Sequence, residues 1–123
     1  MYQVIEMYGD FEPWWFLEGW EADLTQTESF DSYDQALLCY EQKWRKLKIS
    51  KQCHNSRASL MAAFWNKEDK RWCEECDEHL TQYCSIALLY NGKEVAPDQF
   101  QERFERQNCD VKPPSSCSFK KSS

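Results

Sequence analysis

The sequence predicts an α+β fold in which two helices pack on an antiparallel sheet of about five strands. Two short apolar runs, Leu60–Trp65 and Ser85–Tyr90, have the length of buried strands. A third segment, Tyr33–Leu47, repeats its apolar residues at intervals of three and four, which is the period of an amphipathic helix. Strands and helices that follow one another in this order are typical of an antiparallel sheet covered by helices.

The chain begins with a predicted strand, Tyr2–Tyr8, which is rich in β-branched and aromatic residues and ends at a Gly-Asp turn. A second predicted strand, 14–20, contains Trp14, Trp15 and Trp20. Because consecutive strand residues point to opposite faces, Trp14 and Trp15 cannot both enter one core. One of these rings is therefore covered by another element or exposed for stacking on a ligand.

The predicted helix Tyr33–Leu47 has both a start signal and a core face. Ser32 can cap its first turn, and Gln35 stands at the capping-box position three residues later. The apolar face contains Tyr40 and Trp44. We expect this face to pack across the sheet.

The run Leu60–Trp65 is unbroken, which is typical of a central strand. The residues after it, Asn66–Asp69, favour a turn, and Arg71–Cys73 is expected to return as its hairpin partner. The polar segment Gln52–Ser59 is expected to be a connection.

A hairpin and a second helix are predicted in the last third of the chain. An Asn-Gly pair follows Ser85–Tyr90, and this dipeptide is a strong signal for a hairpin with the short second strand Lys93–Val95. Pro97 begins the second predicted helix, in which Phe100 and Phe104 lie four residues apart.

The composition indicates one folded domain with an uneven charge. The chain contains six Trp, six Tyr and seven Phe, which is enough for a core. We expect a single domain over residues 1–108 and a flexible tail over residues 109–123. The net charge is −6, but residues 1–35 hold nine acids and no Lys or Arg. We expect a cytoplasmic protein without a membrane partner, because neither a signal peptide nor an apolar run of roughly 18 residues is visible.

The seven cysteines lie in a chain without an export signal. We therefore expect thiols, metal ligands or redox groups and no disulfide framework. Cys39 is interpreted as a core thiol. Cys109 and Cys117, near the C-terminal end, indicate nothing specific.

Four potential metal ligands lie within twelve residues: Cys73, Cys76, His79 and Cys84. Cys73 and Cys76 form a Cys-x-x-Cys pair, which supplies two thiolates to tetrahedral zinc, and His79 and Cys84 could complete the site. The alternative is a pair of thiols on a hairpin without metal. A thioredoxin-like role for Cys73 and Cys76 is disfavoured, because four carboxylates surround the pair, whereas a reactive thiol needs a cationic neighbour or a helix N-terminus.

Six cations lie between residues 43 and 57 with no acid among them. They are Lys43, Arg45, Lys46, Lys48, Lys51 and Arg57. Cations near a helix C-terminus complement the helix dipole and are usually solvated. The same patch suits phosphates, and an exposed Trp could stack on bases. An overall pI near 4.9 is unfavourable for nucleic-acid binding.

These patterns predict a non-enzymatic binding module. The chain has two His, no Gly-rich phosphate loop and no Ser-centred elbow. The acidic N-terminal segment with Trp14, Trp15 and Trp20 suits a basic partner or a small polar ligand. We therefore predict a protein-interaction or regulatory domain, with one structural zinc as the only cofactor. The alternative is nucleic-acid binding through residues 43–57.

Three stretches, Met1–Trp20, Ala62–Asn66 and Arg71–Asp77, resemble a family of small bacterial cytoplasmic proteins that is classed as a domain of unknown function. The resemblance covers nearly the whole chain up to about residue 107, and its motifs are long and rich in Trp. Members of the family have been labelled DNA-binding. This label suggests the nucleic-acid alternative, although no known motif accounts for it, and the resemblance otherwise implies a family and hardly any function.

Overall fold

The structure is a computed structural model that describes residues 1–15, 20–75 and 77–109. It contains nine strands: β1 Tyr2–Gly9, β2 Leu24–Phe30, β3 Cys53–Arg57, β4 Met61–Trp65, β5 Lys70–Cys73, β6 Glu78–Thr81, β7 Tyr83–Tyr90, β8 Lys93–Glu94 and β9 Arg106–Gln107. The helix α1 spans Tyr33–Ser50. Short 3₁₀ turns lie at Pro13–Trp15, Trp20–Asp23, Pro97–Gln99 and Glu102–Phe104. Among the described residues, no helix is long and apolar enough to cross a membrane.

Seven of the strands form one antiparallel sheet, on which α1 packs. The strand order is β2-β1-β7-β4-β3-β9, and β8 pairs with β7. The remaining strands, β5 and β6, form a separate two-stranded hairpin. Every residue of β4 is buried, which confirms that the apolar run Leu60–Trp65 holds a central strand. The predicted α+β class is therefore confirmed, with one helix instead of two.

The helix α1 begins where the sequence predicts and presents the predicted face. Ser32 Oγ accepts a hydrogen bond of 3.4 Å from the Gln35 amide, which caps the first turn. Tyr40 and Trp44 are buried against the sheet. They share one core with residues that point to the same sheet face, which are Val4, Ala62, Phe64, Ile86 and Leu88.

The alternate residues of the same strands form a second apolar layer on the opposite face. Ile5, Met61 and Ala87 lie in this layer and are almost fully buried. Trp14 packs against it from the 3₁₀ turn that follows β1. The sheet is thus buried on both faces, which explains why its central strands are continuously apolar.

The second predicted helix is wrong. Residues 97–104 form two 3₁₀ turns, although Phe104 enters the core with 3% exposure. The segment hydrogen-bonds to the residue that follows β3, because the amide of Gln101 donates to Ala58 O at 2.9 Å. Glu105 Oε2 accepts from the Ala58 amide at 2.6 Å. The Gln101 amide, which would bond within a continuous α-helix, bonds to Ala58 instead.

The edge strands also differ from the prediction. The described residues of the expected strand over 14–20 are not a strand, because Pro13–Trp15 and Trp20–Asp23 are 3₁₀ turns. The strand beside β1 is instead the polar segment Leu24–Phe30. Residues 16–19 lie outside the part of the chain that the structure describes.

The expected connection Gln52–Ser59 contains the strand β3. Its polar residues His54 and Ser56 are buried, which hides the strand from a search for apolar periodicity. Ser56 Oγ accepts a hydrogen bond of 2.8 Å from Trp44 Nε1, so its burial leaves no unpaired hydroxyl.

The two predicted hairpins have different outcomes. The Asn-Gly hairpin is confirmed, because Asn91 and Gly92 have positive φ and connect β7 to β8. The return strand 71–73 does not pair with β4, since β5 pairs with β6 in the separate hairpin. That hairpin is tied to the chain after β1 by Arg71, whose Nε donates to Asp10 Oδ1 at 2.8 Å.

Candidate functional site: the open edge of β2 and its groove

The strand β2 lies at one end of the sheet and pairs with β1. Among the described residues, no strand pairs with its outer edge. Thr25, Gln26, Thr27 and Ser29 are exposed along its seven residues. An edge strand presents a row of unpaired backbone amides and carbonyls, which can pair with another chain. At the other end of the path, β9 is only two residues long.

A groove of about 560 Å³ runs between β2 and α1. It is lined by Glu28, Phe30, Gln35, Leu38, Cys39, Gln42 and Lys43. The register pairs Glu28 with Val4 and Phe30 with Tyr2, so both side chains point to the face that α1 covers. Leu38 lines one side of the groove with an aliphatic side chain, and this residue is 59% exposed. The groove therefore combines apolar and polar lining next to an edge strand.

Glu28 is the polar centre of this groove. Cys39 Sγ donates a hydrogen bond of 2.9 Å to Glu28 Oε2, and Lys43 Nζ lies 3.5 Å from the same oxygen. The hydrogen bond from Cys39 and the charge of Lys43 lower the pKa of Glu28. The other oxygen, Oε1, has a long contact of 3.5 Å with Gln26 Nε2. The carboxylate remains 40% exposed, so it can accept a further donor.

The thiol in the groove is a hydrogen-bond donor and not a nucleophile at neutral pH. Burial and the hydrogen bond to Glu28 raise the pKa of Cys39 to about 11. Since the thiolate is the reactive form, Cys39 is poorly suited to catalysis. The arrangement favours binding over covalent chemistry.

The groove lies in the acidic part of the molecule. Lys43 also pairs with Glu6, at 2.9 Å, so its charge is balanced by two carboxylates. Asp31 and Asp34 are exposed at the start of α1, close to Phe30 in the chain. The local field is therefore negative and favours a cationic ligand.

The structure places three of the four predicted zinc ligands, each on a different strand. Cys73 is buried on β5 and packs with Leu80, whereas His79 is exposed on β6 with its ring centroid 5.0 Å from that of Trp72. Cys84 is a free thiol within β7. Among the described residues, no three His, Cys, Asp or Glu side chains form a group that could hold a metal ion. Cys76 lies outside the described part of the chain, so the four-ligand site stays a prediction.

The predicted basic patch is divided between surfaces. Lys43 is bound by Glu6 and Glu28, and Arg45 pairs with Glu41. Lys46 and Lys48 are exposed on α1, and Lys51 follows at the helix end. Arg57 lies on the opposite face of the sheet, 3.7 Å above the Trp14 ring. The six cations therefore do not form one continuous positive surface.

Of the three candidate tryptophans, Trp14 packs on the second apolar layer and lies under the Arg57 guanidinium. The side chains of Trp15 and Trp20 lie outside the described part of the molecule. Sequence reasoning missed Glu28 and Leu38. It interpreted Cys39 as a core thiol, and Cys39 does pack against the core, but it also lines the groove. The β-branched residues of β2, which alternate with polar ones, are the only signal that could have indicated this strand.

Comparison with known proteins gives a family but no close relative of known structure. No curated protein and no solved structure matches the chain. The model of one family, described as protein of unknown function (DUF1033), matches residues 1–119. Since the match spans nearly all of its 123 residues, the chain belongs to this domain-of-unknown-function family.

Proposed function

We propose that this chain is a protein-interaction module that binds an extended, basic segment of a partner protein by adding it as a strand to the outer edge of β2. The observation that carries the proposal is the coincidence of a seven-residue edge strand with a groove along the neighbouring helix. In strand addition, backbone hydrogen bonds supply affinity, and pockets for alternate side chains supply specificity.

The groove is placed to receive alternate side chains of an added strand. Gln26, Glu28 and Phe30 point to the helix side of the sheet, because they pair with Glu6, Val4 and Tyr2. A strand added to β2 would continue the same alternation, so every second side chain would face α1. Phe30 and Leu38 offer apolar contact there, and Glu28 offers an acceptor.

Charge favours a basic partner over a second copy of the chain. Residues 1–35 hold nine acids and no Lys or Arg. Two copies joined through β2 would bring two such segments together, which is unfavourable. Lys or Arg side chains of a partner would instead meet the free side of Glu28. The proposed module is non-enzymatic, which is consistent with a protonated Cys39 in the groove.

A peptide-binding experiment tests this function. The probe is a labelled octapeptide of alternating Lys and Thr, and the matched probes carry Glu in place of Lys or Pro in place of one central Thr. We expect the Lys peptide to bind and its affinity to fall as salt rises. The Glu peptide should not bind, and the Pro peptide should bind more weakly because it lacks one amide donor. Equal binding of the Lys and Glu peptides would overturn the proposal.

Two matched variants of α1 locate the binding surface. Leu38 lines the groove, whereas Ile49 is 87% exposed and does not line it. We expect Leu38→Lys to weaken binding of the Lys peptide at least about tenfold, or about 1.4 kcal/mol, by adding a like charge to the groove. Ile49→Lys, which adds the same charge elsewhere on the helix, should change it by less than about twofold. If both variants weaken binding of the Lys peptide equally, the peptide does not bind in the groove.

Nucleic-acid binding through residues 43–57 stays the alternative, and the divided cations give it less support. A single-stranded oligonucleotide in the same assay separates the two functions. If the oligonucleotide binds and the double variant Lys46→Glu with Lys48→Glu abolishes that binding, the alternative replaces the peptide function.

A further inference from the structure

The outer edge of β3 is covered by a segment of the same chain, residues 105–109, which we call the strap. Asn108 makes three bonds to this edge: Oδ1 accepts from the His54 amide at 2.6 Å, its amide donates to His54 O at 3.2 Å, and Nδ2 donates to Gln52 O at 2.9 Å. The short strand β9 pairs with Asn55 and Ser56. The strap therefore occupies an edge that would otherwise be open.

The strap has a strong anchor at each end. At one end, Phe104 is buried in the core with its ring centroid 5.3 Å from Tyr40 and 5.4 Å from Trp44. At the other end, Cys109 is joined to Cys53 by a disulfide. This pairing corrects the expectation that the cysteines form no disulfide and that Cys109 indicates nothing specific.

Between these anchors the strap is held by hydrogen bonds and not by buried side chains. Its residues 105–108 are all exposed, and β9 is two residues long. Segments with few buried contacts and exposed hydrogen bonds open at low free energy. The disulfide at Cys109 therefore adds a covalent constraint to exposed hydrogen bonds at the distal end of the strap.

We propose that the Cys53–Cys109 disulfide is a reversible redox lock, and that its reduction releases the strap and exposes the outer edge of β3. Such an edge carries unpaired amides and carbonyls that can accept another strand. In a reducing compartment, a disulfide is typically transient or redox-sensing. This inference does not depend on the proposed function of β2.

The reductant is a dithiol. Cys109 keeps some solvent contact and Cys53 has none, so one thiolate of the dithiol attacks Cys109 Sγ. The disulfide breaks, and Cys53 leaves as a thiolate that takes up a proton. The second thiolate of the dithiol then displaces Cys109, which is also protonated, and the dithiol becomes a cyclic disulfide. Two electrons and two protons have moved to the protein. Glutathione disulfide reverses the reaction and is released as two glutathione thiols.

Amide hydrogen exchange, measured residue by residue with and without dithiothreitol, tests the lock. We expect the amides of His54, Ala58 and Asn108, which bond across the strap, to exchange at least about tenfold faster after reduction. Amides at the centre of β1 and β7 should keep their protection, and glutathione disulfide should restore the original rates. If the three amides stay protected after reduction, or if the whole sheet loses protection, the lock is overturned.

A matched pair of variants separates this bond from the other thiols. Cys109→Ser should show the exchange rates of the reduced protein with or without dithiothreitol. Cys39→Ser removes a thiol that forms no disulfide, so it should respond to dithiothreitol as the wild type does. Protection of the His54 amide in Cys109→Ser equal to that in the oxidised wild type would overturn the proposal.

Discussion

Cys39 Sγ donates a hydrogen bond of 2.9 Å to Glu28 Oε2, and this bond joins the helix α1 to the edge strand β2. It holds the groove-facing carboxylate beside Lys43 and leaves the thiol protonated at neutral pH. The consequence is a fixed, ionised acceptor next to an open sheet edge. A binding site for a basic strand needs such an acceptor.

The pKa of Glu28 should depend on this thiol. The hydrogen bond from Cys39 is the largest cause that lowers the pKa of Glu28 from the ordinary 4.5. We expect Cys39→Ala to raise the pKa of Glu28, as measured by NMR titration of its side-chain carboxyl. Because the folded pKa is depressed, the stabilisation is present above the ordinary pKa and is lost as the pH falls through the folded value. Cys84→Ala is the control, and an equal shift in that variant would contradict the assignment.

The core contact of Trp44 can be tested by unfolding. The ring is 6% exposed, and its Nε1 bonds to the buried Ser56. We expect Trp44→Ala to reduce the free energy of unfolding by about 3–5 kcal/mol. Ile49→Ala, on the exposed side of the same helix, should change it by less than about 0.5 kcal/mol. A chemical denaturation midpoint that Trp44→Ala leaves unchanged would show that this packing is wrong.

His54 should make the fold sensitive to mild acid. Burial of the His54 ring is the main cause that lowers its pKa from the ordinary 6.5. The positive charges of Lys48 and Arg106 lower this pKa further. The unfolded chain therefore binds this proton more readily, so stability falls as the pH drops below about 6.5. We expect denaturation midpoints at pH 7.5 and 5.5 to differ less for His54→Phe than for the wild type. The same difference in both proteins would exclude His54 as the cause.

Sequence reasoning found the elements whose burial leaves a strong pattern. The apolar runs of β4 and β7, the Asn-Gly turn and the capped face of α1 were all visible in the chain. The strands β2 and β3 were missed, since one is exposed and the other buries polar residues that are bonded to Trp44 and Asn108. These two segments form strands because of contacts with residues that are distant in the sequence, and a local sequence pattern does not show such contacts.

The candidate site was largely invisible for the same reason. Glu28, Leu38 and Cys39 come together only when β2 lies beside α1, and no motif links them. Cys53 and Cys109 are 56 residues apart, and connectivity between cysteines cannot be deduced from spacing. The acidic character of residues 1–35 was visible, and it remains the basis for expecting a basic partner.

The predicted zinc site has a separate test. Protein purified without added metal or a His tag should contain about one zinc per chain if Cys73, Cys76, His79 and Cys84 converge on the ion. Elemental analysis of Cys76→Ser should show that this zinc is lost. Metal-free wild-type protein that is fully folded would end the zinc prediction.

Chemical-shift mapping on the ¹⁵N-labelled protein tests strand addition at β2 most directly. Titration with the Lys–Thr octapeptide should shift the amides of Leu24–Phe30 and of the groove-lining part of α1, residues 35–43, and should slow exchange of the outward amides of β2. The amides of the separate hairpin β5–β6 should stay unchanged. Shifts confined to that hairpin or to residues 45–57, or binding without any change in β2, would contradict strand addition at β2.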